Sequence, residues 1–367
     1  MTKANNHLLL LAVAGAGKTT YIVEKLITEK YKHALVLTYT NLNRDNILSK
    51  IRERFNGIVP ENIRIDTLFS FLFNFFYKPL EIRDNTRRFP KAKNIIFENN
   101  SKRTKKGTRE HYLNNNGDIY HYRLSDYIRD FLFDEAIARV QKYFDVIFID
   151  EVQDLGGGDL MLMMDLLEKI NIDVLCVGDY YQMTYASSND GTKGRGVRKS
   201  FKSFTEKFYK INFTVDTTTL SGSWRCPAAV CNFARILHPD IKIHANNSHE
   251  PEPTVKYITD KDEISKLLHD KSIIKLIYKE ANKYKNRYDF RIDTWGNVKG
   301  VDSFNEVCII LTKTVNNGVK QYYSGKSNDE LLKLTEITRN KFYVALTRAR
   351  GNVYLLPPLD KELYPIK

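Results

Sequence analysis

The sequence predicts an α/β protein built on parallel sheets, and three observations carry that prediction. Short apolar, β-branched runs alternate with helical stretches along the chain. One such run, Leu8 to Leu11, feeds the turn Ala14-Gly15-Ala16-Gly17, after which Lys18-Thr19-Thr20 opens a helix. Another, "VIFID" (Val146 to Asp150), ends in the paired carboxylates Asp150-Glu151, at the strand exit where open α/β sheets collect their ligands.

The other elements follow the same pattern. "HALVLTYT" (His33 to Thr40), "VLCVGD" (Val174 to Asp179) and "EVCIILT" (Glu306 to Thr312) read as further buried strands, each bounded by turn or helix signals. The opening stretch also has features of a cleavable leader: Lys3, an apolar run to Val13 and the small triplet Ala12-Val13-Ala14. That run is short, however, and Asn5-Asn6-His7 separates it from the charge, so a strand followed by a phosphate cradle is the better reading. Between Phe71 and Val140 the alternation gives way to aromatics, basic residues and "NNNGD", which predicts a small inserted subdomain over 71–140. The aromatics of "LFSFLFNFFY" (Leu68 to Tyr77) are too dense to be all exposed, and most of them are expected in a core. A softer polar, proline-bearing break spans His238 to Pro253. The domain boundary is expected near Val215, giving domains 1–215 and 216–367.

At 367 residues and 42% hydrophobic content the chain has the composition of a globular protein of two or three domains, and no apolar run approaches membrane-spanning length. Four widely spread cysteines, two of them inside predicted strands, argue against a disulfide framework and for a reducing, cytoplasmic setting. Cys226 and Cys231 lack a second pair at zinc-ligand spacing. The net charge of +13 favours polyanionic partners. Two basic runs, Ser101 to Arg109 and Lys193 to Lys202, read equally as linings for a phosphate backbone and as solvated loops.

The residue types at the strand exits point to a nucleoside triphosphate. Backbone N–H groups of Ala14, Gly15, Ala16 and Gly17 are expected to face the β and γ phosphates, since glycine permits positive φ and close approach. Lys18 would neutralise phosphate charge, and Thr19 would offer its hydroxyl to Mg2+ beside Asp150. Glu151 would polarise the attacking water. Asp179 and Gln182 leave a third strand toward the γ phosphate.

In their order these residues resemble superfamily 1 helicases of the UvrD, Rep and PcrA group, through nearly the whole chain. "AVAGAGKTT" resembles motif I, "LTYTNLN" motif Ia, "IDTLFSF" motif Ib, "IDEVQD" motif II and "VGDYYQMTY" motif III. "LSGSWRCP" is similar to motif IV, "TWGNVKGVD" to motif V and "FYVALTRAR" to motif VI. The resemblance implies two RecA-like P-loop NTPase domains with a 1B-like insert, whereas the short interval from Cys226 to Asp293 between motifs IV and V departs from the family and predicts a 2B insertion absent or minimal. It implies ATP and Mg2+ as cofactors, with Ala14 to Thr20, Trp224 (stacked on adenine) and Asp302 (on the ribose) holding the nucleotide. Arg225 and Arg348 would reach the γ phosphate from the second domain, so that closure couples chemistry to movement. Tyr39, Thr40, Asn41, Thr67, Phe69, Tyr185, Thr294 and Trp295 would lie along single-stranded or tailed duplex DNA.

Departures from the family pattern are specific. The chain begins about one strand before the phosphate loop, without the glutamine-bearing stretch that relatives use on adenine, which leaves adenine selectivity open. Ser187 replaces a DNA-stacking tryptophan and Gly296 replaces a histidine. Similarly short relatives accompany nucleases in bacterial antiphage operons, and the helicase-like subunit of the Gabija system is one that the chain resembles. The leading expectation is an ATP-driven DNA translocase or helicase. The alternative is a nucleotide- and DNA-sensing regulatory subunit of a nuclease in antiviral defence, with little unwinding of its own. A small-molecule kinase would leave Gln182, Arg225 and "ALTRAR" without roles.

Overall fold

The computed structural model describes residues 6–83, 92, 94–98, 104–184, 193–248, 250–282, 291–301 and 304–358. Its contacts divide the chain into two compact units. The first comprises Met1–Leu10, Thr19–Gly178 and Tyr185–Asp216, and the second Leu11–Lys18, Asp179–Thr184 and Thr217–Lys367.

The first unit contains strands β1 (His7–Leu11), β2 (Ala34–Thr38), β3 (Ile63–Thr67), β4 (Ile95–Ile96), β5 (Ile119–Tyr120), β6 (Val146–Asp150), β7 (Asp173–Gly178) and β8 (Thr214–Asp216). Six of them form one sheet in the order β3-β2-β6-β7-β1-β8. The pairs β2–β3, β2–β6, β6–β7 and β1–β8 are parallel. β2 and β6 are buried along their whole length, which is why they read as unbroken apolar runs: both of their faces are covered. The helix Lys18–Thr28 buries Ile22, Val23 and Leu26, the stripe expected of a 3.6-residue period.

The insert expected over 71–140 clusters with the rest of this unit. It includes a π-helix, Leu72–Tyr77, the two-stranded sheet β4–β5 and the helices Leu124–Phe131 and Phe133–Tyr143. The aromatic run is largely core: Phe71, Phe75, Phe76 and Tyr77 are buried, with Phe71 against Phe75 and Phe76 at ring distances of 4.9 Å. Lys193, at the head of the second basic run, is ion-paired with buried Asp126, which Arg123 also contacts at 3.0 Å. Burial pushes the Asp126 carboxyl up, but Lys193 and Arg123 together hold it below its ordinary value. That lysine anchors its loop. The start of the other run, 101–103, lies outside the described residues.

The second unit contains β9 (Gly222–Ser223), β10 (His244–Ala245), β11 (Val255–Tyr257), β12 (Ile274–Ile277), β13 (Ile292–Thr294), β14 (Val307–Ile310) and β15 (Val353–Leu356). Its main sheet runs β11-β15-β14-β12-β13, again with parallel pairings. Ile264, Leu268, Ile277, Cys308, Ile310 and Leu356 pack in its core. Both units are thus α/β with a parallel main sheet, as the sequence predicts.

Strand ends fall short of the sequence expectation for one recurring reason. β2 stops at Thr38 because Thr40 caps the next helix, its side chain accepting from Asn43 N–H at 3.2 Å. β14 stops at Ile310 because Thr312 caps the helix Lys313–Tyr323 in the same way. Each cap is worth about 1 kcal/mol, which outweighs extending an exposed strand end. All four cysteines are free and buried. Among the described residues no helix is long and apolar enough to cross a membrane.

Candidate nucleotide site

In the first sheet β7 lies between β6 and β1, so three neighbouring parallel strands discharge at one edge: Asp150 after β6, Asp179 after β7 and the phosphate-loop turn after β1. Within the first unit Thr19 Oγ1 donates to Asp150 Oδ2 at 3.4 Å. Asp150 is buried, and its other oxygen accepts from Glu151 N–H at 3.0 Å. Glu151 has φ 55° and ψ 43°, the left-handed region that disfavours a side chain. Gln153 Nε2 donates to its carboxylate. A Cβ on Gly178 would stand 2.2 Å from Gln153 Oε1 and 2.9 Å from Val152 Cγ1, so a side chain at the end of β7 would displace the motif II turn packed against it. Thr20, outside this cluster, accepts from Lys50 Nζ at 2.7 Å.

Thr19 and Asp150 suit a hard cation completed by phosphate and water oxygens. Among the described residues no group of three or more His, Cys, Asp or Glu could hold a metal by itself. A small cavity lined by Thr38, Tyr39, Asp150 and Glu151 opens beside them. The Thr38 hydroxyl is buried there without a hydrogen-bond partner.

The second unit gathers the turn itself. Gly15 (φ +73°) can only be glycine: a Cβ there would meet Ser223 Oγ at 2.6 Å and Arg225 Cβ at 2.7 Å. Trp224 N–H donates to Gly15 O at 2.9 Å, and Val13 N–H to Leu220 O at 3.0 Å, so motif IV runs alongside the loop. Trp224 is 64% exposed, and Arg225 is nearly covered. Gln182 donates from Nε2 to Asp179 Oδ2 at 2.9 Å, and Arg348 Nη2 donates to Gln182 Oε1 at 3.3 Å. Arg348 is buried, its Nε on Val344 O at 3.3 Å and its Nη1 on Val301 O at 3.4 Å.

Several expectations are corrected. Two of the four amides expected to face phosphate are engaged in the protein: Ala14 N–H donates to Tyr343 Oη at 2.9 Å and Ala16 N–H to Val13 O at 3.3 Å. Trp295 is fully buried, stacked on Phe342 at 5.2 Å with its Nε1 donating to Leu276 O, so it offers no face to a base. Thr67 is buried as a helix cap, bonded to Ser70 N and Oγ. Thr294 Oγ1 accepts from Asn297 N–H in a turn, and Thr40 is the cap described above. Tyr39 and Asn41 are exposed. Phe69 is half-buried, parallel to Phe73 at 6.3 Å and tilted on Phe97 at 5.7 Å. Tyr185 and Asp302 lie outside the described residues.

Sequence reasoning missed Tyr343, whose hydroxyl donates to Asp179 Oδ2 at 3.0 Å, and Phe97, 67% exposed beside Phe69 and stacked on His121 at 5.0 Å. Tyr343 lay unremarked inside the motif VI segment, and no motif covers Phe97.

None of the curated proteins matches the chain. Among solved structures it is similar to that of Arterivirus nonstructural protein 10 (helicase), with 15% identity and a TM-score of 0.49, covering 99% of this chain and 62% of that one. It is similar also to that helicase's complex with DNA, at 14% identity and a TM-score of 0.48, covering 98% of this chain and 63% of the other. The chain therefore spans less than two thirds of the length of these viral proteins. Its first third matches the model of the UvrD/REP helicase N-terminal domain over residues 1–118, a stretch that holds motifs I, Ia and Ib. Over residues 1–118 the chain is thus similar to the UvrD/REP helicase N-terminal domain.

Proposed function

We propose that the chain is an ATP-driven translocase on single-stranded DNA that separates strands when it meets a duplex. The observation that carries this reading is the Thr19–Asp150 hydrogen bond with Glu151 beside it, at the sheet edge where β6, β7 and β1 all end. Mg2+, when bound, neutralises phosphate charge, and Thr19 and Asp150 are the residues that would hold it. Glu151 accepts a proton from the attacking water, a role that a half-exposed carboxylate can perform. Lys18, Arg225 and Arg348 offset charge developing on the transferred phosphoryl. Gln182, held between Asp179 and Arg348, orients the nucleophile. Trp224 offers an exposed indole to the base of the nucleotide.

For the strand, Tyr39, Asn41, Phe69 and Phe97 are accessible groups on the first unit. Aromatic faces hold successive bases without reading sequence, each worth roughly 1 to 3 kcal/mol. The net charge of +13 supplies the attraction to phosphate.

The test is ATP hydrolysis titrated with single-stranded DNA, duplex DNA and RNA, with Lys18→Ala as control. Stimulation by single-stranded DNA that vanishes in Lys18→Ala is the expected result. Turnover indifferent to every nucleic acid would overturn the translocase reading, and loss of single-strand affinity in Phe69→Ala and Phe97→Ala would fix the path of the strand.

A further inference from the structure

We infer that Tyr343 is a positioning residue for ATP hydrolysis: through Asp179, its hydroxyl ties the phosphate-loop turn to the Gln182–Arg348 pair. The inference rests on the chain being an ATP hydrolase, as proposed above.

Tyr343 lies in the helix Glu336–Leu346 and is completely buried. Its ring is held against Tyr181, with centroids 6.2 Å apart, and against His238 at 5.8 Å. A phenol has one proton to donate, and here the carboxylate takes it: Tyr343 Oη donates to Asp179 Oδ2 at 3.0 Å. A lone pair on the same oxygen then accepts Ala14 N–H at 2.9 Å. Burial pushes the phenol well above its ordinary value and the nearby Asp179 adds to the effect, so the donor stays protonated.

Beyond the carboxylate the direction of each bond is set. Asp179 Oδ2 is acceptor-only, so Gln182 must turn its Nε2 toward it (2.9 Å), and Oε1 is thereby turned toward Arg348 Nη2 (3.3 Å). Reversing the amide would place oxygen on carboxylate and N–H on guanidinium. The chain therefore runs in one sense only, from the Ala14 amide through Tyr343, Asp179 and Gln182 to Arg348. Asp179 and Tyr343 are fully buried and Gln182 and Arg348 nearly so, and leaving any member unsatisfied carries a desolvation penalty.

Phenylalanine would fill the same space and keep the ring contacts. It would strip the Ala14 amide of its acceptor and Asp179 of one donor, so the loop turn and the glutamine would lose their common reference. Such a fault acts on alignment in the transition state more than on nucleotide affinity.

The experiment measures steady-state ATP hydrolysis with saturating single-stranded DNA for wild type, Tyr343→Phe, Asp179→Asn and the double variant. Thermal midpoints and the affinity for a fluorescent ATP analogue are measured alongside. Tyr343→Phe should lower kcat roughly tenfold to a hundredfold, as loss of a supporting hydrogen bond does elsewhere. KM should stay within about twofold of wild type, as for an interaction made mainly in the transition state. The double variant should be no worse than the more impaired single one. Should Tyr343→Phe fail to fold, Asp179→Asn, which keeps the side-chain shape, is read by the same criteria. Wild-type kcat in the variant, a loss carried by KM alone, or losses that multiply in the double variant would each overturn the inference while leaving the ATPase reading intact. A wild-type protein without ATP turnover would overturn both.

Discussion

Two adjacent strands of the first sheet end in carboxylates, and the two endings are built differently. β6 delivers Asp150, which accepts from Thr19 and from Glu151 N–H, and Glu151, which accepts from Gln153, is half-exposed and is held at a left-handed backbone angle. β7 delivers Asp179, which is fully buried and accepts from Tyr181 N–H, Gln182 and a tyrosine 164 residues away. A carboxylate meant to take up a proton must stay accessible. One meant to hold others in place is better saturated with donors and sealed from water. On the proposed function, the contrast separates a reacting exit from a supporting one.

The sharpest way to break that contrast is at its reacting end. Glu151→Gln should cut ATP turnover by roughly 10² to 10⁴ while nucleotide binding persists, the scale of a lost general base. Arg348→Ala should cost on the order of 10³ to 10⁵. Steady-state hydrolysis beside equilibrium nucleotide binding checks both, and near-normal turnover in Glu151→Gln would remove the distinction.

The supporting exit responds in stability. His238 packs on Tyr181 at 4.4 Å and on Tyr343, and burial, reinforced by Arg339, pulls its imidazole down to about 3. Between that value and the ordinary value of 6.5 the unfolded chain binds a proton that the folded chain refuses, so stability falls as pH drops through this window. The loss should reach about 2 kcal/mol by pH 5 and be absent above pH 7, and it should shrink in His238→Gln. Denaturant melts across pH read it directly.

Gly178→Ala tests how closely the two exits abut. Its new methyl meets Gln153 and Val152, and we expect a destabilisation of roughly 1 to 3 kcal/mol by chemical denaturation. The smallest effect runs the other way. Glu151→Asn, with a residue that tolerates left-handed angles, should gain up to about 1 kcal/mol while abolishing turnover. A loss of stability there would mean that the backbone angle carries no strain.

Local chemistry was legible in the sequence wherever one segment carried it. The run Val146 to Asp150 and the glycine-bearing turn after Leu11 announce strands, their exits and a tight turn, because burial along a strand and positive φ leave composition marks. Trp295 shows where this ends. Its motif V resemblance puts it along the DNA strand, but its stacking partner, Phe342, is supplied by a distant helix. Tyr343 was invisible for the same reason: its two partners lie at Ala14 and Asp179. Thr40 and Thr67 sat on expected contact positions, but each hydroxyl caps a helix, a role that a motif match does not distinguish from binding.

The strand order has a bearing on biogenesis. β1, the earliest-made strand of the first sheet, is flanked in the finished sheet by β7 and β8, the last two of that sheet to be made. The segment bearing the phosphate loop must therefore wait, unpaired and apolar, until Asp173 and then Thr214 have emerged, while β2, β3 and β6 are free to assemble beforehand. The edge from which Asp150 and the glycine-bearing turn emerge is thus completed late in the making of this sheet, and Leu8 to Leu11 is the stretch a holding chaperone would be expected to shield in the interval.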